Sequence, residues 1–153
     1  MKKFFACTCL GLLTLITSPL ALAQPPASAY PVTPPPGLYQ ALGEQAGLRT
    51  LMDDFVGRLA ADPRIGVQFK DTNRANLAKQ LTDQVCQLAG GPCVYKGPDM
   101  KEAHAGMDIT RSHFNALVEV LQQSMDARGI PFTRQNQLLA LLAPMHRDVI
   151  TVR

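Results

Sequence analysis

Four stripes of apolar residues with the period of an α-helix confine this chain to an all-α fold. Leu48, Leu51, Met52, Phe55 and Leu59 form one face; Leu77, Leu81, Val85 and Leu88 a second; Phe114, Leu117, Val118, Leu121 and Met125 a third; Leu138, Leu142, Met145 and Val149 a fourth. Side chains three and four residues apart meet on one side of a helix, so each stripe is a face that must be buried against another. No stretch alternates apolar and polar residues as a half-buried strand would. The stripes stop at strong breakers, Asp62-Pro63, Gly90-Gly91-Pro92 and Gly129-Ile130-Pro131. Thr110 and Thr133 are placed to cap the two later helices, each with an oxygen that can accept from an unpartnered helix N–H.

Ahead of the stripes the composition changes twice. Six prolines within Pro25–Pro36 make residues 24–37 (QPPASAYPVTPPPG) a stiff, extended spacer. Residues 1–23 carry Lys2-Lys3, an apolar run from Phe4 to Ile16 and the small-residue ending Ala21-Leu22-Ala23, the three regions of a cleaved secretory signal. That run is shorter than the ~20 apolar residues a spanning helix needs, so the mature chain is expected not to span a membrane. The division expected is a signal at 1–23, a spacer at 24–37 and a domain at 38–153, with the mature protein periplasmic or secreted. The 116 residues of the domain are enough to bury a core without staples. Loss of Lys2 and Lys3 leaves 13 Lys+Arg against 12 Asp+Glu, so the net charge falls from +3 to +1. The charges are scattered singly, without the basic face that binds nucleic acid.

One stretch departs from the helical pattern. Gly90–Met107 (GGPCVYKGPDMKEAHAGM) has four glycines and two prolines and leaves only Asp99–Ala105 for a short helix, on which Met100 and His104 share a face. A histidine on such a segment, facing long apolar helices, has the geometry to hold a haem iron from one side. A lone histidine is more often an exposed or core-edge residue, and these residues by themselves do not decide for the iron.

The order of elements resembles the truncated haemoglobins, most closely their first group. Leu38-Tyr39-Gln40-Ala41-Leu42-Gly43 is similar to the family's opening. Phe55 with Arg58–Ile65 is similar to its second helix, and Phe69 to the phenylalanine closing the next turn. Gly90-Gly91-Pro92, Tyr95, Gly97, Met100 and His104-Ala105-Gly106 match the signature around the iron-binding histidine. Ile109–Phe114 and Leu141-Leu142-Ala143-Pro144 continue the match. The resemblance implies a two-on-two helical sandwich around haem b, with His104 as the proximal iron ligand. No CxxCH occurs, which excludes covalent haem c attachment. His113, beside the pocket, reads as a surface histidine at a helix start rather than a ligand. His146 reads as surface or haem-edge packing, although some family members carry a histidine nearby that bonds to a haem vinyl group.

On the distal side the sequence departs from the family. Many members place a tyrosine directly after the phenylalanine of the second helix, and here Phe55 is followed by Val56. The resemblance puts Leu77, Gln80 and Leu81 on the distal face of the third helix with Gln84 one turn on, so Gln80 or, failing it, Gln84 is the only amide able to donate to a bound ligand. Both glutamines can equally point to solvent from the rim. Dioxygen depends on such donors more than carbon monoxide or nitric oxide, so tight oxygen storage is not the expectation. The resemblance implies binding of O2, NO and CO, and suggests conversion of nitric oxide to nitrate with an external electron donor.

Cys86 and Cys93 remain after loss of the signal, and Gly90-Gly91 lets the chain double back between them. Export places them where disulfides form. Two free thiols or a thiolate metal site are the alternatives. A different class of protein also fits the helical pattern: an exported module without haem that binds a metal through methionine and histidine, or a partner protein, with Met100/His104 as its close pair.

Overall fold

A computed structural model describes residues 33–152. Those residues form seven α-helices and two 3-10 turns, with no strand among them: α1 (Leu38–Ala41), α2 (Glu44–Ala61), a 3-10 turn (Gly66–Phe69), α3 (Arg74–Leu88), α4 (Met100–Ala103), α5 (Arg111–Ala127), α6 (Phe132–Leu142), a second 3-10 turn (Ala143–Met145) and α7 (His146–Val149). The expected signal at 1–23 and most of the spacer lie outside the described residues. The spacer's last residues lie against the domain: Arg134 Nη1 donates to the Pro36 carbonyl at 3.3 Å.

The helix ends follow the breakers. Asp62 closes α2 in extended backbone at φ −72°, just before Pro63. Asn73 caps α3 by accepting from the Asn76 N–H at 3.0 Å, and Gly90, at φ +85°, turns the chain out of it in the left-handed region that favours glycine. Gly91 is needed for space, since a Cβ there would lie 2.6 Å from the Tyr39 ring and 2.7 Å from Cys86 Sγ. Thr110 caps α5, its Oγ1 accepting from the His113 N–H while His113 Nδ1 accepts from the Thr110 N–H.

Two expectations need correction. Thr133 lies inside the first turn of α6, because the Pro131 carbonyl already receives the first helical bonds, from the N–H groups of Arg134 and Gln135. The preset φ of Pro131 starts the helix early. The fourth apolar stripe runs over α6, a 3-10 turn and α7 rather than one helix, because Pro144 has no N–H to continue the ladder.

The long helix α2 is the hub, packing on α3 and α5; α5 packs on α6, and α1 on α6 and α2. This is the expected pair-on-pair arrangement. Leu48, Leu51, Leu59, Met125 and Leu138 are fully buried in its core. The α5–α6 corner is locked by buried Gln135, whose Nε2 donates to Asp126 Oδ1 at 2.7 Å and to the Ile130 carbonyl at 2.9 Å. Behind α4 the C-terminal segment straps the approach to α5: the N–H groups of Thr151 and Val152 donate to the Ile109 carbonyl, and the Ile109 N–H donates to Thr151 Oγ1.

Candidate haem pocket

Between α3 on one side and α4, α5 and α7 on the other lies a cavity of about 840 Å³, within the ~300–1,000 Å³ usual for small-molecule and cofactor sites. Its walls are apolar. Met52, Phe55 and Leu59 come from α2; Leu77, Leu81 and Val85 from α3; Phe114, Leu117, Val118 and Leu121 from α5; Met145 and Val149 from the C-terminal turns. Leu77, Leu81 and Leu117 are only half-buried, which marks the cavity as an opening in the core and not a packed interior. Asn73 and Asn76 line it while exposed, and so mark its mouth. Its one lining carboxylate, Glu119, accepts from Arg64, which is also bonded to Asp62. Tyr95 is held protonated, its phenol pushed above its usual range by burial, with the Asp99 charge adding to the effect; its hydroxyl donates to the Pro98 carbonyl at 2.8 Å.

His104 enters from a short helix built for the purpose. Asp99 Oδ1 accepts from the Glu102 N–H at 2.7 Å and starts α4, and Gly106, at φ +75°, ends the turn beyond it. The helix is therefore shorter than the Asp99–Ala105 expected, and His104 sits at its C-terminal cap. Its Nδ1 lies 2.7 Å from the Met100 carbonyl oxygen. A carbonyl only accepts, so Nδ1 carries the proton and Nε2 keeps its lone pair. Among the described residues nothing hydrogen-bonds Nε2, and His104 lines the cavity. That is the arrangement in which a metal-ligating histidine is held and made more basic by a carbonyl behind it.

Of the residues singled out in the sequence, the structure brings Phe55, Phe69, Leu77, Gln80, Leu81, Gln84, Met100 and His104 to this one cavity. Val56 is different. It is buried in the core and does not line the cavity, because Met52, Phe55 and Leu59, three and four residues apart, are the face that α2 presents there. Gln84 lines the cavity but does not offer its amide as a distal donor: its Nε2 lies 3.6 Å from Met100 Sδ and 3.9 Å from Met145 Sδ. Thioether sulfur only accepts, so the NH2 group faces the two methionines. Half-buried Gln80 lines the cavity from the same helix, with Asn73 and Asn76 exposed at its mouth. Cys86 and Cys93 form a disulfide with their Cα atoms 5.7 Å apart. His146 lies outside the cavity lining, its ring centroid 6.3 Å from that of Phe114 and its Nδ1 donating to the Ala143 carbonyl at 3.1 Å. The polar mouth residues Asn73 and Asn76 were missed by the apolar periodicity, since they lie on no stripe.

Helices crossing in pairs over an apolar slot, with one imidazole nitrogen bare within it, define a globin-type pocket. The chain belongs to the bacterial-like globin family, whose profile matches residues 37–151. It is 39% identical to the group 1 truncated hemoglobin of Tetrahymena thermophila over 95 residues, 62% of this chain and 78% of the relative. It is 31% identical to that of Tetrahymena pyriformis over 116 residues, 76% of this chain and 96% of the relative. The crystal structure of the T. pyriformis protein in its Fe(III) form superposes with a TM-score of 0.71, at 31% identity, over 74% of this chain and 97% of that one. The 2/2 hemoglobin from Synechococcus, at 23% identity and a TM-score of 0.70, shares the fold over 75% of this chain and 98% of that one.

Proposed function

We propose that this chain is a haem b protein that binds small diatomic ligands at an iron held by His104. The observation that carries the reading is the His104 ring, with Nδ1–H fixed on the Met100 carbonyl and Nε2 bare toward an apolar cavity of cofactor size. The apolar stripes from α2, α3 and α5, with Phe69 and Leu77 among the lining residues, would keep water from a haem held there. Bound there, haem supplies an iron site that takes dioxygen, nitric oxide or carbon monoxide. Titration of the purified protein with haemin tests this: a Soret band saturating at one equivalent is expected. A colourless protein with no haem affinity overturns it in favour of a non-haem helical module. Among the described residues no group of three or more His, Cys, Asp and Glu is placed to hold a bare metal ion.

The distal wall decides which ligand is held well. With Leu77 and Leu81 lining it, Gln84 turned to the methionines, and Asn73 and Asn76 exposed at the mouth, Gln80 is the half-buried side-chain amide left on that face of α3. Gln80→Leu removes one hydrogen bond worth about 1–1.5 kcal/mol, and oxygen dissociation should quicken roughly tenfold. Carbon monoxide dissociation should change far less. Leu77→Gln, which adds a donor to the wall, should slow oxygen release. Stopped-flow ligand replacement measures all three, and unchanged oxygen dissociation in both variants would contradict this placement of α3. Such a weakly donating pocket suits turnover of nitric oxide better than oxygen storage: NO and O2 combine to nitrate with one electron, for which we propose an external reductase as the source. We further propose that residues 1–23 direct export and are removed. Among the described residues no helix is long and apolar enough to cross a membrane.

A further inference from the structure

The last turn of α3 is joined to the segment carrying His104 by three side chains of different chemistry. Cys86 is bonded to Cys93. Gln87 Oε1 accepts from the Tyr95 N–H at 2.6 Å. Gln84 reaches Met100, and only this link arrives at the turn from which His104 itself projects. Gln84 is 8% exposed. A buried amide costs free energy that a hydrocarbon of the same size would not, unless its polar atoms are engaged. Here the NH2 group meets two sulfurs, Met100 Sδ at 3.6 Å and Met145 Sδ at 3.9 Å. Met100 then accepts twice from His104 on its carbonyl, from the backbone N–H at 3.3 Å and from the ring Nδ1–H at 2.7 Å. Met145 precedes α7, the element packed against α4.

We infer that Gln84 is a positioning residue which, acting through Met100, fixes the height and ring orientation of His104 in the pocket; this rests on the haem-ligand reading above. A methionine side chain has three rotatable bonds and holds its place poorly without a partner. The amide pins the sulfur of Met100, and with it the carbonyl on which the imidazole is hung. It pins Met145 at the same time, so the two elements that frame His104 are referred to one atom of α3. The helix that lines the cavity with Gln80 thereby also positions the histidine that would hold the iron.

The test uses haem-loaded protein with Gln84→Leu, Met100→Leu and both together. The iron–histidine stretching band of the unliganded ferrous form is measured by resonance Raman, and haem loss by transfer to excess apomyoglobin. Both single variants should shift or broaden the band in the same sense, and the double variant should go no further, since all three remove one link. Haem loss should quicken about threefold, less than the ~10–100-fold that follows loss of a direct partner of a ligating histidine. Gln87→Ala, which leaves the sulfurs in place, should keep the band where it is. A purely structural contribution would lower the melting temperature without moving the band. An unmoved band in both Gln84→Leu and Met100→Leu overturns the positioning role even if Gln84→Leu alone proves unstable. If the unsubstituted protein has no such band, the haem reading fails with it. A band that His104→Ala removes but these variants leave alone overturns the positioning role only.

Discussion

Replacing His104 with alanine is expected to abolish stable haem retention. His104 is the one histidine lining the cavity, and its Nε2 is the only imidazole nitrogen there without a hydrogen-bond partner among the described residues. Alanine leaves the Met100 carbonyl facing a gap and the iron without a protein ligand. Haem would then be held by apolar burial alone, and the five-coordinate ferrous spectrum should disappear at equimolar haem. His113→Ala and His146→Ala should retain it. The first of these rings serves the capping box of α5, and the second lies outside the cavity lining. Loss of the α5 cap should instead appear as a small fall in stability, about 1 kcal/mol in thermal unfolding.

The second large effect concerns the Cys86–Cys93 bridge. Replacing both cysteines with serine opens a loop of eight residues and should cost roughly 2–3 kcal/mol in the chain-entropy account, or a fall in melting temperature of about 10 °C for a domain of this size. Cys86 is fully buried against Gly91 and the Tyr39 ring, so a serine hydroxyl there adds its own desolvation cost. Alanine at both positions should therefore be milder than serine. The bridge itself is checked by mass: non-reduced protein should be lighter than the reduced chain by two hydrogens. Two alkylatable thiols in freshly isolated material, or identical melting of the double variants and the parent, would contradict it.

The sequence was legible wherever one residue type does one physical job. Asp62-Pro63, Gly90-Gly91-Pro92 and Thr110 end or start helices for local steric and hydrogen-bonding reasons, and the structure puts helix ends there. The apolar stripes carried the four faces of the sandwich because burial follows the helical period. What periodicity cannot carry is the aim of a side chain that sits between two faces. Val56 is next to Phe55 and shares its helix, yet it packs into the core while Phe55 lines the cavity. Gln84 lies on the same face as Leu77 and Leu81, but its amide is directed by two sulfurs supplied 16 and 61 residues later. Thr133 does not cap α6, because the carbonyl of Pro131 takes the same helix start. For Gln84 the deciding atoms are distant in sequence, and for Thr133 the deciding atom is a backbone carbonyl that residue identity does not reveal.

The central claim, that an imidazole at position 104 holds the iron, is tested most directly by chemical rescue. His104→Gly leaves a space where the ring stood. His104→Gly mixed with equimolar haemin and reduced under argon should lack the five-coordinate ferrous spectrum of the parent and gain it on titration with free imidazole, while the same additions leave His113→Gly unchanged. A His104→Gly protein that shows the parent spectrum with no imidazole present would contradict the assignment.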